Sequence, residues 1–146
     1  PYKGKFTPDN PNKYMGDANN IIYRSGWERR AMKYFDINPG VLKWASEEVV
    51  IPYYDSVSKK VRRYFPDFLI KVQTAEGSTQ THLIEVKPSK DLRPPVGGRG
   101  KKKSTVLYEM KTYRMNQDKF AAARKWCDDR NIIWDVWTEK QLKQKG

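Results

Sequence analysis

Arg63 to Pro88 reads RYFPDFLIKV (63–72), QTAEGSTQ (73–80) and THLIEVKP (81–88). Both outer pieces alternate β-branched or aromatic residues with others at a period of two, which predicts two strands. In the first, Tyr64, Phe68, Ile70 and Val72 are expected on one face and Phe65, Asp67, Leu69 and Lys71 on the other. In the second, His82, Ile84 and Val86 oppose Leu83, Glu85 and Lys87. Gly77 and Ser78 suit a hairpin turn between them. Paired in this way, Asp67 lies across the ladder from Glu85 and Lys87, which share a face because they are two apart.

Two carboxylates and an ammonium among apolar strand neighbours are costly to bury unless something pairs with them. Carboxylate oxygens are the hard ligands Mg²⁺ prefers, and such an ion holds phosphate and activates water. A lysine beside it positions or deprotonates that water, or stabilises charge on phosphoryl oxygens. The plainer alternative is a cross-strand ion pair on a solvated sheet face, which contributes little. The order Pro66-Asp67, seventeen intervening residues, then Glu85-Val86-Lys87 resembles the signature of the PD-(D/E)XK nuclease superfamily. The resemblance implies metal-dependent phosphodiester cleavage.

The chain has 146 residues, enough for one domain with a modest core. Its net charge is +12, with 29 Lys and Arg against 17 Asp and Glu, so it should be drawn to polyanions, of which nucleic acid is the usual one. No apolar run approaches the ~18 residues of a transmembrane helix, and no signal-peptide core is visible, so an intracellular protein is expected. A single cysteine, Cys127, excludes an internal disulfide and a cysteine-based zinc site. His82 is the one histidine, and it is expected on the strand face away from Glu85, with no catalytic part. Metal chemistry here falls to carboxylates.

Residues 1–20 hold three prolines and several Asn and Gly, and read as an extended basic arm without a core of its own. Lys3, Lys5 and Lys13 interleave with Tyr2, Phe6 and Tyr14; such a segment either packs over the domain surface or tracks nucleic acid. Ser25-Gly26-Trp27-Glu28 is a capping box that opens a helix running to about Asp36, with Trp27, Ala31, Tyr34 and Phe35 inward and Asn38-Pro39-Gly40 as the stop. Capping explains Glu28 fully. Yet PD-(D/E)XK nucleases often direct an acid from the first helix into the metal site, so two roles compete for one carboxylate. Glu47 to Tyr53 is expected as the first strand of the sheet, Pro52 marking an edge or an end. Asp55 to Lys60 forms a hairpin loop leading into the central pair.

Residues 88–104, PSKDLRPPVGGRGKKKS, carry Lys90, Arg93, Arg99, Lys101, Lys102 and Lys103 against one acid, Asp91, and their Pro and Gly pairs oppose regular structure. This predicts a flexible loop that orders on DNA as its cations displace counterions. Leaving directly from Lys87, it hangs beside the proposed site. Residues 105–130 predict a helix with Leu107, Met110, Tyr113, Gln117, Phe120 and Cys127 as its apolar stripe, and a possible break at Asn116. Lys111, Arg114, Lys119, Arg124 and Lys125 lie off the stripe, where phosphate could meet them. Ile132 to Trp137 is a final strand, and Thr138 to Gln141 a second capping box opening a short helix.

The order helix, three strands with the carboxylate hairpin, helix, strand, short helix is that of an α/β domain. It corresponds to the restriction-endonuclease-like αβββαβ core of the PD-(D/E)XK fold over residues 21–146, a single nuclease domain with a mixed central sheet flanked by helices. A narrower resemblance lies in YKGKFTPDNPNKYMGDANNIIYRSGWERR, WASEEVVIPYYD, RYFPDFLIKV, IEVKP and WDVWTEKQL. Together these are similar to the head completion nucleases of T-even-type tailed phages, and TEKQL also resembles transposon end-cleaving nucleases of the TnsA type. The resemblance implies that Asp67, Glu85, the carbonyl of Val86 and Glu28 hold Mg²⁺, with Mn²⁺ as a substitute, and that Lys87 is the catalytic lysine. It also implies 5′-phosphate and 3′-hydroxyl products. Asn116, Gln117 and Lys119 match polar positions of the second helix that approach the site or DNA. The expected partners are DNA and phage head or portal proteins, with no membrane and no small-molecule cofactor, in the cytoplasm of an infected host or in the virion. The expected role is processing of DNA ends or branches after packaging. The alternatives are a DNA-binding module with a decayed site, and a structural head protein whose cleavage is incidental.

Overall fold

A computed structural model describes residues 3–98 and 100–145. Its strands are β1 (Gly4–Phe6), β2 (Ile21–Tyr23), β3 (Val41–Ser46), β4 (Ile51–Asp55), β5 (Lys60–Tyr64), β6 (Phe68–Gln73), β7 (Thr79–Val86) and β8 (Ile133–Trp137). Its helices are α1 (Gly26–Ile37), α2 (Lys103–Asp129) and α3 (Glu139–Lys145). The central sheet has the order β3-β6-β7-β8, antiparallel except for the parallel pair β7–β8. The sheet is therefore mixed, with α1 and α3 on one face and α2 on the other. α1-β3-β6-β7-α2-β8 is the expected αβββαβ core, and the ribbon β4–β5 is inserted into it.

The first strand lies earlier than its expected position at Glu47 to Tyr53. β3 ends at Ser46, Glu47 takes a positive φ of 55°, and the chain re-enters extended structure at Ile51 in a separate two-stranded ribbon. An irregularity between Val41 and Lys43 hid β3 in the sequence. Val41 and Trp44 both face the α1 core although they are three apart, because a bulge breaks the period of two. The stretch from Arg63 to Val72 likewise divides. β5 stops at Tyr64 and β6 begins at Phe68, separated by buried Pro66, which has no N–H to give a ladder.

Local signals elsewhere are realised as they were read. Ser25 Oγ accepts the Glu28 N–H at 3.0 Å and opens α1, and Asn38 closes it. Thr138 Oγ1 accepts the Lys140 N–H while Gln141 Oε1 accepts the Thr138 N–H at 2.7 Å, which opens α3. The β6–β7 hairpin turns through Gly77 at φ 86°, where a side chain would be strained. The first twenty residues lend Tyr14 to the domain's core: its ring packs edge-on against Trp44. Buried Asp36 of α1 accepts the N–H groups of Asp9 and Asn10, and Lys13 donates to the carbonyls of Asp36 and Asn38 at the helix end.

Helix α2 departs most from its reading. It is continuous through Asn116, and Leu107 and Met110, expected in the core, are each 54% exposed. The buried positions are Asn116, Phe120, Ala123 and Cys127. A helix of 27 residues is ~40 Å long, whereas strands of five to eight residues span only ~17–27 Å. The first half of α2 thus extends beyond the sheet; at roughly 100° per residue, Leu107 and Met110 also lie on the side turned away from Asn116, Phe120, Ala123 and Cys127, so solvent covers them.

Candidate active site

Hairpin β6–β7 gathers the central residues. Its register, Leu69 opposite Leu83 and Phe68 opposite Ile84, brings Asp67 alongside Glu85, and Asp67 Oδ2 accepts the Val86 N–H at 2.7 Å. Alternation turns Glu85 and Lys87 to the side of Leu83, which packs beneath α2 against Ala123 and Cys127. Lys87 Nζ stands 3.7 Å from Glu85 Oε2. Glu85 is only 7% exposed. Burial first, then the charge of Glu85, holds the Asp67 carboxyl well above the usual carboxylate range; burial also raises Glu85, opposed by Tyr64 and Lys87. Lys87, at the edge of contact distance, and Lys119 both lower Glu85, and burial outweighs them.

Glu28, Glu47 and Arg24 close one side. Glu28 Oε1 accepts the Arg24 N–H at 3.0 Å, one residue before the box predicted from sequence. Its charge still reaches the hairpin, raising both Asp67 and Glu85. Burial raises Glu28 itself, and so does Glu47. The cap and the acidic site thus share this carboxylate. Glu47 pairs with Arg24, and its N–H donates to the Asp67 carbonyl at 3.0 Å. Its left-handed backbone, worth about 1–3 kcal/mol of strain in a non-glycine residue, sits at the edge of the site.

Tyr64 was missed. The uninterrupted alternation of the sequence placed it with Phe68, but the break at Pro66 turns it to the opposite side, among Leu83, Ala123 and Cys127. Its hydroxyl donates to Glu85 Oε1 at 2.5 Å in a buried setting. Proline in the middle of a strand pattern was the only hint. The ribbon carrying Tyr64 is fixed to α2, because Asp118 accepts both the N–H and the hydroxyl of Ser56 at the β4–β5 turn. Lys119, one helical residue on, lies 5.7 Å from the Tyr64 ring centre, and burial and then Lys87 lower its pKa. A Tyr64→Phe variant should fold, lose about 1.5–3 kcal/mol for a hydrogen bond to a charged group, and need more divalent metal for half-maximal cleavage. A metal titration of the cleavage rate checks this; an unchanged titration curve would show that the hydroxyl does not position Glu85.

Beyond Lys87 a cleft of about 520 Å³ opens between residues 90–101 and the overhanging half of α2. Lys90, Arg93, Lys101 and Asn116 line it, while Lys102 and Lys103 are exposed where α2 begins. Arg99 lies outside the described residues. The segment is more regular than its Pro and Gly suggested: Ser89–Leu92 forms a single 3-10 turn, and α2 starts at Lys103. Glu139 of α3 ties down its start, accepting the Ser89 hydroxyl at 2.5 Å and N–H at 2.9 Å. These two bonds lower its pKa to about 2. A carboxylate depressed in the folded state adds stability above its ordinary pKa near 4.5 and loses it as pH falls towards about 2. Glu139→Ala should therefore speed proteolytic nicking at 89–101 at pH 7, with little difference from wild type near pH 2. His82 stays away from the site, its Nδ1 2.7 Å from Asp135.

The donor set suits a hard cation held sparingly. Among the described residues no three His, Cys, Asp or Glu side chains form a ready cage. Asp67 Oδ2 and Glu85 Oε1 already accept hydrogen bonds, which leaves one oxygen of each carboxylate for a metal. Mg²⁺ is commonly bound by one or two carboxylates, with water and substrate phosphate completing its octahedron, and a carboxylate pair that the nearby lysines offset only in part is the environment such an ion relieves. Val86 gives its N–H to Asp67, pairs with Trp137 of β8 and packs its side chain against the α1 core.

Residues 38–139 match the family described as TnsA-like endonuclease N terminal. The chain is 38% identical over 148 aligned positions to the head completion nuclease of Enterobacteria phage T4, an alignment that covers 99% of this chain and 96% of the phage protein. No solved structure matches significantly.

Proposed function

Because the chain belongs to the family of TnsA-like endonucleases, we propose that it hydrolyses DNA phosphodiester bonds in a metal-dependent reaction during phage head completion, acting on DNA ends or branches after packaging. The observation that carries this reading is half-buried Asp67 beside buried Glu85, with Lys87 at the head of a basic cleft. Asp67 and Glu85, with the Val86 carbonyl as a further donor and Glu28 within electrostatic reach, would hold Mg²⁺ or, in its place, Mn²⁺. When bound, the cation supplies charge neutralisation at the phosphoryl group and acidifies water. Lys87 positions the attacking water or offsets negative charge on the phosphoryl oxygens as it develops. Tyr64 holds Glu85 in place, and Asp67 is oriented by the Val86 N–H.

Lys90, Arg93, Lys101, Lys102 and Lys103, with Lys119 and Asn116 nearer the carboxylates, contact DNA. Lysines at the start of α2, with no acid in its first turn, leave the positive end of the helix dipole uncompensated. A phosphate there relieves that repulsion. The products carry 5′-phosphate and 3′-hydroxyl ends. Phage head or portal proteins are the natural partners, and the host cytoplasm during infection the site of action. Among the described residues, no helix is long and apolar enough to cross a membrane.

Cleavage of linear duplex, supercoiled plasmid and branched DNA in Mg²⁺, Mn²⁺ or EDTA tests the proposal. Cutting is expected with either metal and none with EDTA. Failure to cut any of the three in either metal would overturn the catalytic reading, and undiminished cutting in EDTA would overturn its metal dependence.

A further inference from the structure

We propose that the cleft beyond Lys87 is a subsite for one unpaired nucleotide next to the scissile phosphate, so that the enzyme acts where paired DNA meets a single strand. This rests on the nuclease reading above and specifies its substrate. Lys87 itself and buried Asn116, 8% exposed, both line the cleft. Tyr108, Tyr113 and Pro95 give it flat apolar walls, while Lys90 and Arg93 bring cations. Apolar walls alone would suit any small hydrophobe and cations alone any anion. Their combination suits a nucleotide, whose base stacks on a ring while its phosphate meets the basic groups. An asparagine amide presents both donor and acceptor to a base edge.

Size excludes the duplex. About 520 Å³ is the volume of a pocket for one small ligand, a scale that fits one nucleotide and not a stacked duplex. A base must leave its stack to enter, and it does so at least cost where it is already unpaired. Lys101 and Glu109 pair across the cleft at 2.8 Å, with Lys101 also directed to the Val96 carbonyl. Both members are substantially solvent-accessible, so parting them costs little.

Tyr108 is 71% exposed, so its replacement should leave the fold intact. Affinities of the wild type, Tyr108→Ala and Tyr108→Phe would be measured by fluorescence anisotropy in EDTA. The probes are one duplex with blunt ends and the same duplex with 5′ or 3′ single-stranded overhangs carrying 2-aminopurine at the first unpaired position. Stacking on an aromatic side chain changes affinity roughly 5- to 150-fold. Wild type should bind at least one overhang about tenfold more tightly than the blunt duplex and quench the 2-aminopurine. Tyr108→Ala should lose both the preference and the quenching, and Tyr108→Phe should keep them. Equal binding of blunt and overhung duplexes by wild type, or a preference that survives Tyr108→Ala, would overturn the subsite. At roughly 100° per residue, Leu107 and Met110 face away from the cleft. A preference abolished by changing those two but not Tyr108 would assign the outer face to a partner and also overturn it. Because binding is read without metal, loss of the subsite and loss of the nuclease reading are separable: metal-dependent cutting with no overhang preference removes only the subsite.

Discussion

Replacing Lys87 by alanine is expected to slow DNA cleavage roughly 10²–10³-fold, the usual consequence of removing one donor from developing negative charge. Asp67→Ala should cost at least as much. The double variant should be little worse than the slower single one, because groups that act as a unit do not contribute additively. Binding should barely change. Lys87 is one cation among several around the cleft, so its loss should lower the dependence of log affinity on log salt by at most ~0.9. Single-turnover cleavage and a salt titration of binding, run on the same preparations, separate catalysis from attraction. Cleavage that survives both substitutions would remove the site from this hairpin. Equal losses of cleavage and affinity would make Lys87 a binding residue instead. The geometry behind the expectation is its position, 3.7 Å from Glu85 Oε2 and at the mouth of the cleft.

Asp67→Asn should make the metal-free protein more stable at neutral pH while abolishing its activity. Burial raises Asp67 and Glu85 above their ordinary values of 3.8 and 4.5, the charge of Glu85 raises Asp67 further, and Glu28 adds to both. Where the folded pKa lies above the unfolded one, the folded state binds more protons, so stability falls as pH rises through that window. The contribution is fully present below about 4, where both states are protonated, and is lost upward through the raised folded values. Exchanging the half-buried Asp67 carboxylate for a neutral side chain of the same shape should relieve a desolvation penalty of about 1–3 kcal/mol, or roughly 2–4 °C of melting temperature per kcal/mol for a domain of this size. The asparagine oxygen still accepts the Val86 N–H, so the hairpin keeps its geometry. Mg²⁺ should narrow the difference by stabilising wild type through binding to the folded state, with no matching shift in the variant. Melting curves at pH 5, 7 and 8.5 with and without Mg²⁺ test both parts. A variant less stable than wild type at pH 8.5 without metal would show that the pair is not under electrostatic strain.

Such a cost is what a metal site built on one buried and one half-buried carboxylate entails. The sheet must bring like charges together before anything is bound, and the protein stays folded because the surrounding layers supply the stability. Aromatic packing around Trp44, with Phe35, Phe68 and Tyr14 at its edges, does this on the α1 side. The α2 side, with Leu83, Ala123 and Cys127, forms the floor of the site.

Features set by contacts a few residues apart were legible in the chain by itself. Alternation at a period of two identified β6 and β7 and put Asp67, Glu85 and Lys87 on one side. The Ser25 and Thr138 caps located the starts of α1 and α3, and the Asp67…Glu85-Val86-Lys87 spacing pointed to the chemistry. The tertiary structure alone decided the rest. A bulge in β3 disguised its alternation, so the neighbouring stretch from Glu47 looked the better strand. Pro66 divided an apparently continuous strand, and the inserted ribbon turned Tyr64 onto Glu85. The stripe that begins at Leu107 and Met110 drifts around α2, so those two residues end on the side turned away from the buried Phe120, Ala123 and Cys127. Period and capping are local, within reach of four residues. Whether an apolar stripe is buried, and which hydroxyl meets a carboxylate 21 residues away, depends on the lengths and placement of elements that meet only when the chain has folded.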